Sequence, residues 1–134
     1  MTMGTEHPNL AKIRQALEMY NAGDRQGMRT FLAPDIRWHV SGDHPMSGDY
    51  RGIDEVLAYF DRVQGMTDGS LKIEPTQMLA DDEHAAIFMR VTACRGERNL
   101  DVVMAETLTL DEDGRWTEYW AIADDQSAVD TFWS

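Results

Sequence analysis

At 134 residues, 43% hydrophobic and 27% charged, the chain is about one domain long and has the composition of a folded protein rather than a disordered one. Twenty-four acidic against twelve basic residues give a formal charge of −12, and such a surface repels nucleic-acid phosphates and anionic lipid headgroups. No stretch approaches the roughly 20 apolar residues that a membrane span needs, and the single cysteine, Cys94, excludes an intrachain disulfide.

Met1 to Pro8 lack a basic segment followed by an apolar one, so no secretion signal is expected there and the expected location is cytoplasmic. Leu10, Ile13, Leu17 and Tyr20 recur at helical spacing with Ala16 on the same side. They predict an amphipathic helix over about 8–22, with Pro8 in its first turn. Gly23 closes it, and Asp24 is placed to cap a shorter helix that carries Met28, Phe31 and Leu32 and stops at Pro34. A strand over Ile36–Val40 puts Ile36, Trp38 and Val40 on one face and Arg37 and His39 on the other. Residues 41–52, SGDHPMSGDYRG, read as a loop. Ile53, Val56, Leu57, Phe60 and Val63 give a third helix that closes around Gly65.

Apolar or alternating segments follow at about 70–80, 84–95, 99–110 and 115–123, separated by DDEH, RGERN and DEDG, which suit hairpin connections. Cys94 falls in one of them and is expected to be a small core or sheet residue. The end, DDQSAVDTFWS, carries Val129, Phe132 and Trp133 and reads as a short terminal helix or tail. Helices first and a meander of strands afterwards predict one α+β domain over residues 1–134. Three N-terminal helices would lie across the concave side of a strongly curved, mostly antiparallel sheet, with a cavity between the layers.

Several stretches resemble the nuclear transport factor 2-like superfamily: NAGD at Asn21–Asp24, FLAPDIRWHVSG at Phe31–Gly42 and SGDYRGIDEVLAYF at Ser47–Phe60. The closing stretch DEDGRWTEYWAIADDQSAVDTFW is similar to its SnoaL-like and ketosteroid-isomerase-like branch. The resemblance implies a cone-shaped α+β half-barrel with a deep pocket, commonly a homodimer joined through the outer sheet face. The activities it implies range over isomerases, polyketide cyclases, dehydratases and epoxide hydrolases, and some members have no chemistry at all. It also marks departures. The first-helix tyrosine of ketosteroid isomerases corresponds to Ala16, their general-base aspartate to Val40, and their protonated aspartate to Glu106. Only the last keeps a functional group, so steroid isomerisation by that mechanism is not expected.

Glu106 stands out without the resemblance. In LDVVMAETLTL it shares one alternating face with Leu100, Val102, Met104, Leu108 and Leu110, a face apolar enough to be buried. A buried carboxylate either pairs with a cation, for which Arg90 on the neighbouring strand is the candidate, or takes up a proton. His39 is a second candidate because it titrates near neutral pH, although alternation turns it away from Trp38 and Val40. Tyr20 is a third, with a hydroxyl about one turn from the family tyrosine's position.

Trp38, Val40, Phe60, Met104 and Tyr119 are the candidate ligand-binding surface of an enclosed apolar pocket. Of the adjacent pair Tyr119 and Trp120, the resemblance puts Tyr119 inward. Trp120 and Trp116 are expected on the outer face, which, with Val103, Thr107 and Thr109, would pair with a second copy. Asp43, His44 and Asp49 offer metal-ligand atoms near His39 without a recognised spacing, so no metal is expected. No nucleophile elbow, phosphate-cradling glycine loop or dinucleotide fingerprint occurs, and no cofactor is expected. The expected function is acid/base chemistry of the isomerase, cyclase, dehydratase or hydrolase type on a small hydrophobic substrate. Glu106 would act as acid or base, with His39 or Tyr20 assisting. The alternative is a non-catalytic domain for hydrophobic-ligand binding or dimerisation. No nucleic-acid or membrane partner is expected.

Overall fold

A computed structural model describes residues 6–134. The expected lack of a secretion signal over Met1–Pro8 falls mostly on residues 1–5, which lie outside the described residues. The first helix, α1 (Pro8–Ala22), starts where the His7 side chain accepts the Asn9 amide and ends at Gly23, whose φ of 76° is left-handed. Ile13, Ala16 and Leu17 are its buried stripe.

The next helix, α2 (Arg25–Arg29), is capped as expected by Asp24, which accepts the Gly27 amide, but it is shorter than the spacing implies. Phe31 lies beyond it, and Leu32 already belongs to β1 (Leu32–Val40). Pro34 is the cause. It disfavours helical backbone at the residue before it and cannot donate in a helix, whereas in an irregular stretch of strand the missing N–H costs little. That irregular stretch runs between Leu32 and Arg37. The segment 41–52 is not wholly loop either: β2 (Gly48–Arg51) pairs with β1, Trp38 opposite Tyr50 and Val40 opposite Gly48. A short, mostly exposed edge strand carries no hydrophobic alternation to betray it.

The third helix, α3 (Gly52–Thr67), runs past Gly65 to Asp68 at φ 55° and buries Val56, Leu57, Phe60 and Val63. The meander follows as β3 (Lys72–Ala80), β4 (His84–Arg95), β5 (Arg98–Leu110) and β6 (Trp116–Ala123), close to the predicted spans. The chain ends in α4 (Gln126–Trp133), capped by Asp125. The six strands form one curved, unclosed sheet in the order β2-β1-β6-β5-β4-β3. β1 and β6 run parallel, and the other pairs antiparallel. This is the α+β arrangement that the order of elements predicts and the half-barrel that the resemblance implies, with one addition. α1 lies against β3 and α3 against β1 and β2, while α4 covers β5 and β6 as a further wall.

Alternation assigns the two faces of the sheet. Ile87, Met89 and Val91 of β4 and Leu100, Val102 and Leu108 of β5 point into the core. Phe88, Val103, Trp120 and Ile122 are exposed on the outer face. Trp116 corrects the expectation, because it is 2% exposed and lies inside. Thr109 opposes Glu118 while Leu110 opposes Trp116, so β6 carries one extra residue, and the bulge turns Trp116 to the core side. Of the two expectations for Cys94 the sheet one holds: it lies in β4, exposed rather than in the core, its Sγ 3.2 Å from Asn99 Oδ1.

The loop after β1 and the terminal helix meet at Gly42, which has φ 101°. A β-carbon there would lie 2.3 Å from Asp130 Oδ1 and 2.3 Å from Gln126 Nε2, and Asp130 Oδ1 also accepts the Asp43 amide at 3.0 Å. Gly42→Ala is therefore expected to cost about 1–3 kcal/mol through backbone strain and to push α4 off the loop. Hydrogen exchange should speed up across residues 126–133, and unchanged exchange with an unchanged Tm would refute the contact's role.

Candidate active site

Between the helices and the concave sheet lies a cavity of about 110 Å³. Its apolar wall comes from every layer: Leu17 of α1, Met28 of α2, Val63 of α3, Met89 and Val91 of β4, and Val129 and Trp133 of α4. Of the expected contact residues, Trp38, Val40, Met104 and Tyr119 line it, and so do Glu106, Tyr20 and His39, the last bordering it between Trp38 and Val40. Phe60 does not. It is 1% exposed and sits behind the wall, where the rings of Trp38 and Tyr20 meet it edge-on at 5.0 and 5.1 Å.

Glu106 is 3% exposed in the middle of β5. Its neighbours across the two flanking strands are Ile87 and Ala121, neither of which can offset a charge. Arg90 is not its partner. Arg90 stands opposite Val103 on the other face and grips Asp101 with Nε at 2.8 Å and Nη2 at 2.6 Å. Burial therefore pushes the Glu106 carboxyl from 4.5 up to about 7, against a smaller pull downward from its hydrogen bond with the Tyr119 side chain. The same burial holds the Tyr119 hydroxyl well above 10. It lifts Tyr20 to about 12, with the Arg25 guanidinium pulling the other way. Near pH 7 the cavity thus contains a carboxyl poised between its two forms, among hydroxyls that stay protonated.

The aromatic wall is built on one contact. Trp38 and Tyr119 are register partners on β1 and β6, and their rings stack at 3.6 Å and 6°. Trp116 continues the stack at 6.2 Å from Trp38. His39, the next residue, has its ring on the other side of the sheet. Nδ1 lies 2.7 Å from Asp49 Oδ1, Nε2 lies 2.8 Å from Glu118 Oε2, and the ring stacks on exposed Trp120 at 3.7 Å. Burial opposes a charge on this ring, but the two carboxylates outweigh it and raise its pKa. His39 is thus brought to an outer-face ion cluster rather than to Glu106, as strict alternation requires.

Sequence reasoning missed Trp116, Tyr59, Ser41, His44 and Gln126 as wall residues. For Trp116 the signal is masked by the bulge. Tyr59 sits beside Phe60 on the helical stripe, and helical spacing alone does not say which of two adjacent aromatics reaches the cavity. The others come from the loop 41–47 and from α4, whose meeting is a tertiary event.

Residues 13–119 match the SnoaL-like domain family. The chain belongs to that family. It is 27% identical over 131 residues, 97% of this chain and 99% of the other, to the uncharacterized protein Rv0034 of Mycobacterium tuberculosis. Among solved structures it is similar to Bal32a from a soil-derived mobile gene cassette, with 28% identity and a TM-score of 0.89 over 94% of this chain and 96% of that one. A nuclear transport factor 2-like protein of Burkholderia xenovorans shares the fold at 18% identity and a TM-score of 0.81, covering 97% and 98% of the two chains. So does IdmH, a putative polyketide cyclase of Streptomyces antibioticus, at 19% and 0.73, covering 92% and 96%. The family places the chain in the nuclear transport factor 2-like superfamily, within its SnoaL-like branch.

The raised pKa of Glu106 has a consequence for stability. The folded state holds the proton more tightly than the unfolded chain, so Glu106 favours folding below pH 4.5, and that contribution is lost as pH rises towards about 7. The loss is on the order of 3 kcal/mol. Glu106→Gln removes the titration, so the variant is expected to match or exceed the native protein's Tm at pH 8 and to lose that relative gain at pH 4. A variant strongly destabilised at pH 8 would show that the ionised carboxylate has a partner.

Proposed function

We propose that this SnoaL-like domain binds a small hydrophobic molecule and transfers a proton on it without a cofactor, with Glu106 as the group that carries the proton. The observation behind this reading is the carboxyl itself: unpaired, buried between Ile87 and Ala121, and part of a cavity wall. Perturbed carboxyls of this kind serve as acids and bases at neutral pH, whereas a structural core gains nothing from one. Tyr119 would orient the carboxyl. Tyr20 would supply a second protonated hydroxyl at the wall. His39 is left out of the chemistry and given to the outer face.

The cavity's size narrows the ligand. About 110 Å³ is close to the cavity size that takes a single benzene ring and well below the space that drug-sized ligands use. A one-ring substrate fits that space. IdmH, named as a putative polyketide cyclase, supports an isomerase- or cyclase-like reaction as the class to screen. Ala16 and Val40, where ketosteroid isomerases keep functional groups, favour the second reading, ligand binding without turnover. Screening small cyclic ketones, enones and epoxides against the native protein and Glu106→Gln separates the two. Proton transfer by Glu106 predicts turnover that falls at least 100-fold in the variant while binding persists. Turnover that survives in the variant would remove Glu106 from the mechanism, and binding without any turnover would leave the non-catalytic reading.

We also infer that two copies pair through the outer sheet face. Trp120 at 52%, Ile122 at 70% and Val103 at 49% exposure form an apolar patch on adjacent strands. Light scattering should give about twice the monomer mass of 15.2 kDa, and Trp120→Lys should return the protein to monomer. A native protein that scatters as a monomer at micromolar concentration would sink this inference.

A further inference from the structure

The cavity wall is unbalanced in charge. Among the described residues no lysine or arginine belongs to it. Two histidines border it. His39 turns its ring to the outer face, where Asp49 and Glu118 hold it. Burial keeps the His44 ring below its ordinary pKa, although Asp130, the Ser41 carbonyl and Asp43 favour its charged form. Tyr20, Tyr59 and Tyr119 line the wall as well, and burial keeps the proton on each hydroxyl. Arg25 acts on Tyr20 and not on the carboxyl: it stands 5.8 Å from the centres of the Tyr20 and Phe60 rings and bonds Asp61 at 2.8 Å. Among the described wall residues, then, Glu106 is the one that can be negative at neutral pH.

Its carboxyl has capacity to spare. Tyr119 has one hydrogen to give, whereas a carboxylate accepts at about four positions. Neither carboxyl oxygen is among the enclosed side-chain atoms that lack a partner. The surroundings of the cavity have the same sign. Its wall reaches the surface at exposed Ser41, beside half-buried His44 and Gln126. Aspartates gather at that end: Asp130 accepts the Gln126 side chain and the Asp43 amide at 3.0 Å each, and Asp125 caps α4 next to Gln126. On a chain with a formal charge of −12, such a mouth draws cations and turns anions away.

We propose that the cavity's ligand is a small protonated amine on an apolar body of about one ring, its ammonium paired with the ionised carboxylate of Glu106. The inference rests on Glu106 facing the cavity, as the proton-transfer reading does, and adds the chemistry of the molecule it meets. A lone carboxylate in an apolar site is costly, and so is a lone ammonium. Folding has already stripped water from Glu106, so only the ammonium's hydration remains to be lost when the pair forms. The proton that Glu106 gives up on pairing passes to solvent. An anionic ligand would meet no lysine or arginine in the wall and a carboxyl beside it. An uncharged one would leave the carboxyl without a counter-charge.

The test pairs cyclohexylamine, which like lysine stays an ammonium well above neutral pH, with cyclohexanol, which has nearly the same shape and no charge. At pH 8 the amine should bind the native protein roughly ten- to a hundredfold more tightly than the alcohol. Its affinity should fall about tenfold from pH 8 to pH 6, as protons compete for a carboxyl with a pKa of about 7, while alcohol binding stays level. Glu106→Gln should remove the preference for the amine, change alcohol binding less than about twofold and flatten the pH profile, with His39 and His44 still present. Where the variant does not fold, protein labelled with 13C at glutamate carboxyls decides alone. The signal that titrates near pH 7 should move to its ionised position when the amine binds and not when the alcohol does. Amine binding that is no tighter than alcohol binding, or that survives in Glu106→Gln, overturns the inference and leaves the small-molecule reading standing. If neither compound binds the native protein, that reading fails with it.

Discussion

Trp38 lying flat on Tyr119 joins the two halves of this protein. The ladder between β1 and β6 is interrupted from Leu32 to Arg37, and the rings stack where pairing resumes. Aromatic pairs of this kind add about 0.5–1.5 kcal/mol beyond the area they bury. One residue further along each strand, His39 lies on Trp120 at 3.7 Å on the opposite face. The same parallel joint is thus clamped on both faces by consecutive aromatic pairs, as alternation along two strands in register allows. Together with α1 on β3 and α3 on β4, this joint holds the helical first half on the concave sheet.

Closure by large flat rings also accounts for the cavity. Stacked indole and phenol planes, with Phe60 wedged edge-on behind Trp38, leave a corner that Met104, Met89 and Val129 border but do not fill. That space is mostly apolar, so a carboxylate facing it loses hydration that the Tyr119 hydrogen bond only partly offsets. Glu106 lies in that wall, and its raised pKa follows from the packing. A residue that weakens the fold at neutral pH is the kind of local inconsistency that accompanies function.

Much of this was legible from spacing. Alternation through Leu100 to Leu110 put one carboxyl on a buried face, and alternation through Ile36 to Val40 turned His39 away from it. Both follow from a period of two, which holds wherever a strand is regular. Where the strand was irregular the reading failed. The extra residue at Thr117 moved Trp116 from the outer face to the core, and Pro34 converted the end of a predicted helix into the start of β1. Phe60 failed for another reason: a helical stripe says which residues face inward, not which of them stands in the first row.

The sequence by itself determined the helices, the meander, the faces of the regular strands and the burial of a lone carboxyl, because hydrophobic periodicity is a local property. Only the tertiary structure decided that Glu106 meets Tyr119 and no cation, since that depends on which residues strand pairing sets beside it and on the capture of Arg90 by Asp101. It alone brought His44 to the cavity, through a loop held against α4 by Gly42 and Asp130. Those contacts join residues about ninety positions apart, and nothing in the pattern of either segment encodes the other's position.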